Sequence, residues 1–174
     1  MRFHLIENFG TDFLADTVNS LYFVPKELGD EIDCFNFVDP NYSELFSKIL
    51  NTSVNLPQEW GGFRRSYPII HFDDHNKDTI FSAIIALEDV TFTSYRHKEL
   101  KFHSVYEMPN DLDLPKFISN NSKTKKNWKI VNQIQVPKYS LFFYEPWYWH
   151  SFTKGTIQRF TIERKIEQEV TDEN

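Results

Sequence analysis

The chain of 174 residues has a single cysteine, Cys34. One thiol cannot close an internal disulfide, and it leaves no cysteine set for a zinc knuckle or an iron–sulfur cluster. Any metal must therefore be held by histidine and carboxylate, and the thiol count suits a reducing compartment. No apolar run is long enough to span a bilayer. The opening Met1-Arg2-Phe3-His4-Leu5-Ile6-Glu7-Asn8 breaks off before a signal-peptide apolar region forms. A soluble, cytoplasmic protein without membrane attachment is expected, lying in a host cytoplasm if the source is a virus. Basic residues are in deficit, 19 Lys and Arg against 25 Asp and Glu for a net charge of −6, so no duplex nucleic-acid partner is expected. Lys123-Thr124-Lys125-Lys126-Asn127-Trp128-Lys129 could form a local basic patch. Ser119-Asn120-Asn121-Ser122 before it is turn material, and a solvated loop is the plainer reading. The helical His-Glu-x-x-His arrangement of zinc hydrolases is absent.

What is present is core material: 40% hydrophobic residues and 17 phenylalanines. The length fits one domain spanning 1–174, with an α/β packing region over 1–60, a β core over 61–166 and a frayed acidic tail over 167–174. Phe3 to Ile6 reads as a short strand. Leu14, Val18, Leu21 and Tyr22 share one face of a helix over Thr11 to Tyr22. Asp39 as N-cap and Pro40 at the first helical position open a second helix, whose stripe is Tyr42, Leu45, Phe46 and Ile49. From about Gly61 the pattern changes to short β segments: Arg65 to Phe72, Ile80 to Leu87, Lys101 to Tyr106, Trp128 to Gln135, Ser140 to Tyr144 and Gln158 to Lys165. Asn110 to Pro115 and Asn120 to Lys126 read as loops. The fold class is mainly β with flanking N-terminal helices, a sandwich or jelly roll.

Chemistry concentrates at His71-Phe72-Asp73, His150 and Arg159-Phe160-Thr161. On a strand, residues i and i+2 face the same way about 7 Å apart, so His71 and Asp73 can converge on one ion while Phe72 faces away. With His150 they make two histidines and a carboxylate, a set that holds three positions of an Fe(II) octahedron and leaves three open for a bidentate co-substrate and O₂. Each part has an ordinary alternative: a strand-end histidine, an Asp73-Asp74 turn, a structural His150. Arg159 and Thr161 share a strand face, where the guanidinium fork and hydroxyl could hold a carboxylate; a rim salt bridge from Arg159 to Glu163 or another acid is the competing reading. His97 and His103 read as surface residues amid charge. His75 follows His71 by four but lies in a turn. Trp147, Tyr148 and Trp149 could line a substrate mouth or pack in the core.

From about Arg64 to Lys165 the chain resembles the 2-oxoglutarate and Fe(II)-dependent dioxygenase superfamily, in particular its prolyl-hydroxylase-like and uncharacterised bacterial and phage branches. The matching pieces are Ile70-His71-Phe72-Asp73, Phe81 to Leu87, Ser94-Tyr95-Arg96-His97-Lys98, Phe143-Tyr144-Glu145-Pro146 before His150-Ser151, and Arg159-Phe160-Thr161. Phe92-Thr93-Ser94 stands where relatives often carry Gly-Gly-Thr. The resemblance implies a double-stranded β-helix (a cupin-like jelly roll), with His71, Asp73 and His150 as iron ligands and Arg159 as 2-oxoglutarate anchor. It also implies Thr161 as helper to that anchor, and Tyr67 near the co-substrate or simply in the core. The implied reaction uses 2-oxoglutarate and O₂, releases succinate and CO₂, and hydroxylates a substrate that could be a peptide, a small metabolite or a nucleobase. The competing expectation is a non-catalytic cupin-like module for binding or assembly, possibly viral, since fold alone does not settle function.

Overall fold

The computed structural model describes residues 1–9, 34–35, 41–57, 62–66, 68–73 and 75–165. The helix expected over Thr11 to Tyr22, the Asp39-Pro40 cap and the acidic tail lie outside them. Ten strands are present among the described residues: β1 (Phe3–Ile6), β2 (Cys34–Phe35), β3 (Val54–Asn55), β4 (Gly62–Ser66), β5 (Thr79–Ala86), β6 (Val90–His97), β7 (Trp128–Val136), β8 (Leu141–Tyr144), β9 (His150–Phe152) and β10 (Gly155–Arg164). Two α-helices join them, α1 (Asn41–Leu50) and α2 (Leu114–Asn121). The strands form two antiparallel sheets. One has the order β1-β8-β5-β10-β4-β2 with β3 also on β10; the other is β7-β6-β9.

Alternation on the central strands sorts side chains into layers. One parity of β5, β8 and β10 sends Ala83, Ile85, Leu141, Phe143, Phe160 and Ile162 to the outer core, where α1 covers them with Phe46. Phe46 is fully buried and meets Phe143 and Phe160 edge-on, with ring centroids 5.4 and 5.1 Å away. The other parity sends Ile84, Ala86, Phe142, Tyr144 and Ile157 inward, against Phe92 and Phe152 of the small sheet. That small sheet carries a third core on its far side, where Tyr95, Phe102, Trp128 and Trp149 meet Phe117 of α2. The larger sheet is thus buried on both faces, which explains the near-continuous apolar run of β5. This mainly β, cupin-like arrangement of two packed sheets positions the polar residues discussed below.

Six local expectations are corrected. The strand expected over Arg65 to Phe72 ends at Ser66, because the chain then leaves β10 and crosses to β9, where His71 makes a single bridge to His150. Lys101 to Tyr106 is not a strand. Lys101 takes a left-handed φ of 62°, Ser104 makes one bridge to Tyr148, and a 3₁₀ turn follows at Val105–Glu107. The loop expected at Asn110 to Pro115 ends in α2: Asp113 caps that helix by accepting from the Lys116 N–H at 3.1 Å, and Pro115 occupies its first turn. The helix also takes up Asn120 and Asn121, the start of the second expected loop. His97 is no surface residue; it is 4% exposed, stacked on Phe102 with the Trp128 edge against it. His103 is half-buried, its ring against Tyr148.

Candidate metal centre

Two backbone hydrogen bonds set the site. The His71 N–H donates to the His150 carbonyl at 2.9 Å and the His150 N–H returns one to the His71 carbonyl at 2.7 Å. Residues paired in this way across antiparallel strands present their side chains on one face, and the imidazole centroids lie 4.6 Å apart. Asp73 is fastened by its N–H to the Pro146 carbonyl at 2.9 Å. Its Oδ1 is 3.6 Å from His71 Nε2 and its Oδ2 is 3.9 Å from His150 Nε2. One ligand atom from each residue falls within 4.8 Å of the other two.

The tautomers follow from the partners. His71 Nδ1 lies 2.8 Å from the Ile69 carbonyl and His150 Nδ1 lies 2.8 Å from the Tyr148 carbonyl. A carbonyl only accepts, so each Nδ1 carries the proton and each Nε2 offers a lone pair. Metal-binding histidines are commonly oriented in this way by a backbone acceptor. His150 Nε2 is buried without a hydrogen-bond partner. Burial, followed by the nearby His71, lowers its pKa to about 4, so the ring is neutral at physiological pH. A buried lone pair aimed at a carboxylate and a second imidazole suits a divalent cation.

Asp73 is 5% exposed. Burial alone would push its carboxyl up, but the Arg159 guanidinium and the two nearby imidazoles together hold it well below the usual carboxylate range. Arg159 reaches it from β10, with Nη2 2.9 Å from Oδ1. The competing reading, a rim pair with Glu163 or another acid, is met only in that the acid is buried Asp73; Glu163 instead accepts from Asn76. Burial works against the Arg159 charge, and Asp73 and Tyr144 raise its pKa. Its Nε and Nη2 have no aligned hydrogen-bond acceptor, so a buried guanidinium keeps donor capacity facing the centre.

Two neighbours were missed by the sequence reading. Tyr144 donates its hydroxyl to Asp73 Oδ2 at 2.8 Å. Its inward direction was available from alternation with Phe143 on a strand already expected. Ser82 lies between Tyr144 and Thr161 in register across β8, β5 and β10. It is fully buried, with a hydroxyl that has no hydrogen-bond partner. Thr161 is buried on the same strand parity as Arg159, and Tyr67 lies outside the described residues. Phe92 stacks on His150 at 5.5 Å, closing the inner side, whereas the His71 side chain is 43% exposed and marks the open side. Of the three aromatics before His150, Trp149 is fully buried in the outer core of the small sheet, while Trp147 and Tyr148 are half-buried beside Tyr106 and His103.

No protein-family model matches the chain, and no curated protein does. Solved structures do. HygX from Streptomyces hygroscopicus with nickel, 2-oxoglutarate and hygromycin B bound aligns with a TM-score of 0.54 and 12% identity, covering 94% of this chain and 82% of that one. HygX with nickel and 2-oxoglutarate bound aligns with a TM-score of 0.55 and 9% identity, covering 94% and 83%. At these identities the likeness establishes the fold alone.

Proposed function

We propose that this chain is an Fe(II)- and 2-oxoglutarate-dependent oxygenase on a double-stranded β-helix, of the prolyl-hydroxylase-like kind, which hydroxylates a substrate. The observation that carries the reading is the convergence of His71, Asp73 and His150, with both imidazoles presenting Nε2 and a buried Arg159 alongside. The shared fold with a protein solved with nickel and 2-oxoglutarate bound supports it.

In this reading His71, Asp73 and His150 hold the metal. When bound, Fe(II) supplies O₂ activation coupled to decarboxylation of 2-oxoglutarate to succinate and CO₂, with one oxygen atom entering succinate and the other the substrate. Tyr144 fixes the rotation of the Asp73 carboxylate through Oδ2. Once the cation shares the charge of Asp73, Arg159 is left with donors for the distal carboxylate of the co-substrate. Ser82 and Thr161, on the same sheet face, add hydroxyls there, and Tyr67 is assigned the neighbouring position. Phe92, Phe142 and Ile84 keep water from the inner side, and reactants enter past His71.

A non-catalytic binding or structural module is the second reading, favoured by one observation: Arg159 and Asp73 already neutralise each other at 2.9 Å. A succinate-release screen over peptide, nucleoside and amino-acid pools separates the two. The oxygenase releases succinate in an Fe(II)-dependent way and loses this in a folded His150→Ala variant. No release by the wild type, or full release by His150→Ala, contradicts the proposal.

A further inference from the structure

Residues 96–129 hold eight of the 19 Lys and Arg but four of the 25 Asp and Glu, so this segment carries +4 in a chain of −6. It contributes to a cavity of about 460 Å³ lined by Arg96, His103, Glu107, Lys129, Ile130 and Val131. That size suits a metabolite-sized ligand.

The cavity shares a sheet face with the candidate metal centre. Ser94 is paired with His150 across β6 and β9, and Arg96 lies two residues further along β6. It therefore projects to the same face as Ser94, with its Cα roughly 7 Å further along the strand. His103, on the cavity wall, packs against Tyr148 with ring centroids 4.5 Å apart, and the Tyr148 carbonyl orients His150.

Arg96 and Lys129 are directly opposite each other on β6 and β7. Like charges in that position repel, and among the described residues neither has an ion pair. Arg96 is braced instead by Nε on the Lys101 carbonyl at 2.5 Å, leaving its terminal nitrogens to the cavity. Glu107 also lines the cavity and keeps its charge, but its Oε2 accepts from the His103 and Ser104 N–H groups at 2.6 and 3.4 Å, and among the described residues it pairs with neither cation. His103 is kept neutral chiefly by burial and has a buried Nε2 without a partner. A register shift at Ser94/Tyr95 sets Ile130 and Val131 on the wall, 50% and 44% exposed. The wall thus offers a bidentate cation, a point-charge cation, one carboxylate tied to backbone N–H groups, one neutral ring nitrogen and an apolar shelf.

We infer that this cavity is the substrate subsite, and that it takes a small anionic metabolite whose carboxylate or phosphate lies between Arg96 and Lys129 and whose carbon skeleton rests on Ile130 and Val131. The assignment of the subsite as the substrate's rests on the oxygenase reading; the anion preference stands on the cavity alone.

Calorimetric titration of the full chain with phenyl phosphate, phenylacetate and phenethylamine tests it, the two anions separating phosphate from carboxylate preference. At least one anion is expected to bind at least tenfold more tightly than the amine, to weaken with added salt, and to weaken tenfold or more in Lys129→Gln and in Arg96→Gln. Ni(II)-dependent binding of 2-oxoglutarate is expected to be unchanged in both variants. Equal binding of anion and amine, or anion binding unaffected by both substitutions, overturns the inference. Loss of Ni(II)-dependent 2-oxoglutarate binding in the wild type, with anion binding intact, would remove the oxygenase reading and leave the anion site standing.

Discussion

Asp73 is the residue on which charge converges: it faces Arg159, the Tyr144 hydroxyl and two imidazoles while almost fully buried. Replacing Tyr144 with Phe removes one hydrogen bond but keeps the ring in its core. Ni(II) affinity is expected to fall about tenfold, the lower range for the loss of a partner that orients a metal ligand; unchanged affinity by calorimetry would show that Tyr144 does not orient Asp73. Arg159→Met strands the carboxylate, and the metal-free protein is expected to lose about 3–5 kcal/mol. Ni(II) should recover a large part of this by taking over the charge of Asp73, as read from urea unfolding with and without the metal. For His150 the folded pKa of about 4 lies below the ordinary 6.5. The unfolded chain therefore binds the extra proton first as pH falls. Stability of the metal-free protein is accordingly flat above about pH 6.5 and declines toward pH 4, with His150 contributing up to about 3 kcal/mol. His97 and His103, also lowered chiefly by burial, add to the slope with the same sign. A His150→Phe variant should show a shallower decline, and one as steep as the wild type would contradict the assignment.

At the scale of elements, strands with strong alternation were legible. Phe3–Ile6 coincides with its expected bounds, and β5, β7, β8 and β10 lie within a few residues of theirs. Alternation on the last strand also placed Arg159 and Thr161 on one face. Val90–His97 carried the same kind of signal in Val90-Thr91-Phe92-Thr93 but was not read as a strand, although it forms the centre of the small sheet. The crossing at residues 68–71 was not legible, because what holds the chain against β9 is the long-range pairing of His71 with His150 rather than any local preference. The same holds for the mutual charge of Arg159 and Asp73, 86 residues apart in sequence. For α2, the Asp113-Leu114-Pro115 start was a readable cap masked by its polar surroundings. Asp113→Ala is expected to cost about 1 kcal/mol in chemical unfolding and to leave Ni(II) affinity unchanged. The row Tyr144, Ser82 and Thr161 across three strands gives a sharper test. Ser82→Ala should leave stability unchanged or slightly raised, since the buried hydroxyl has no partner. It should nevertheless weaken Ni(II)-dependent 2-oxoglutarate binding about threefold, and unaltered binding would remove Ser82 from the co-substrate pocket.

At the scale of the whole molecule, three apolar layers hold two sheets so that one strand from each sheet and the segment between them meet at a single polar point. The segment 96–129 beside it carries net positive charge in an otherwise acidic chain, and Arg96 and Lys129 bring part of it to the small sheet. The central claim is that His71, Asp73 and His150 grip one cation and leave adjacent positions for a chelating keto acid. It is tested most directly by titrating 2-oxoglutarate anaerobically into the Fe(II)-loaded protein while recording the visible spectrum. The account predicts a weak charge-transfer band that saturates with 2-oxoglutarate in the wild type and is absent in a folded His150→Ala variant. No band at saturating Fe(II) and 2-oxoglutarate, or an equal band in His150→Ala, would contradict it.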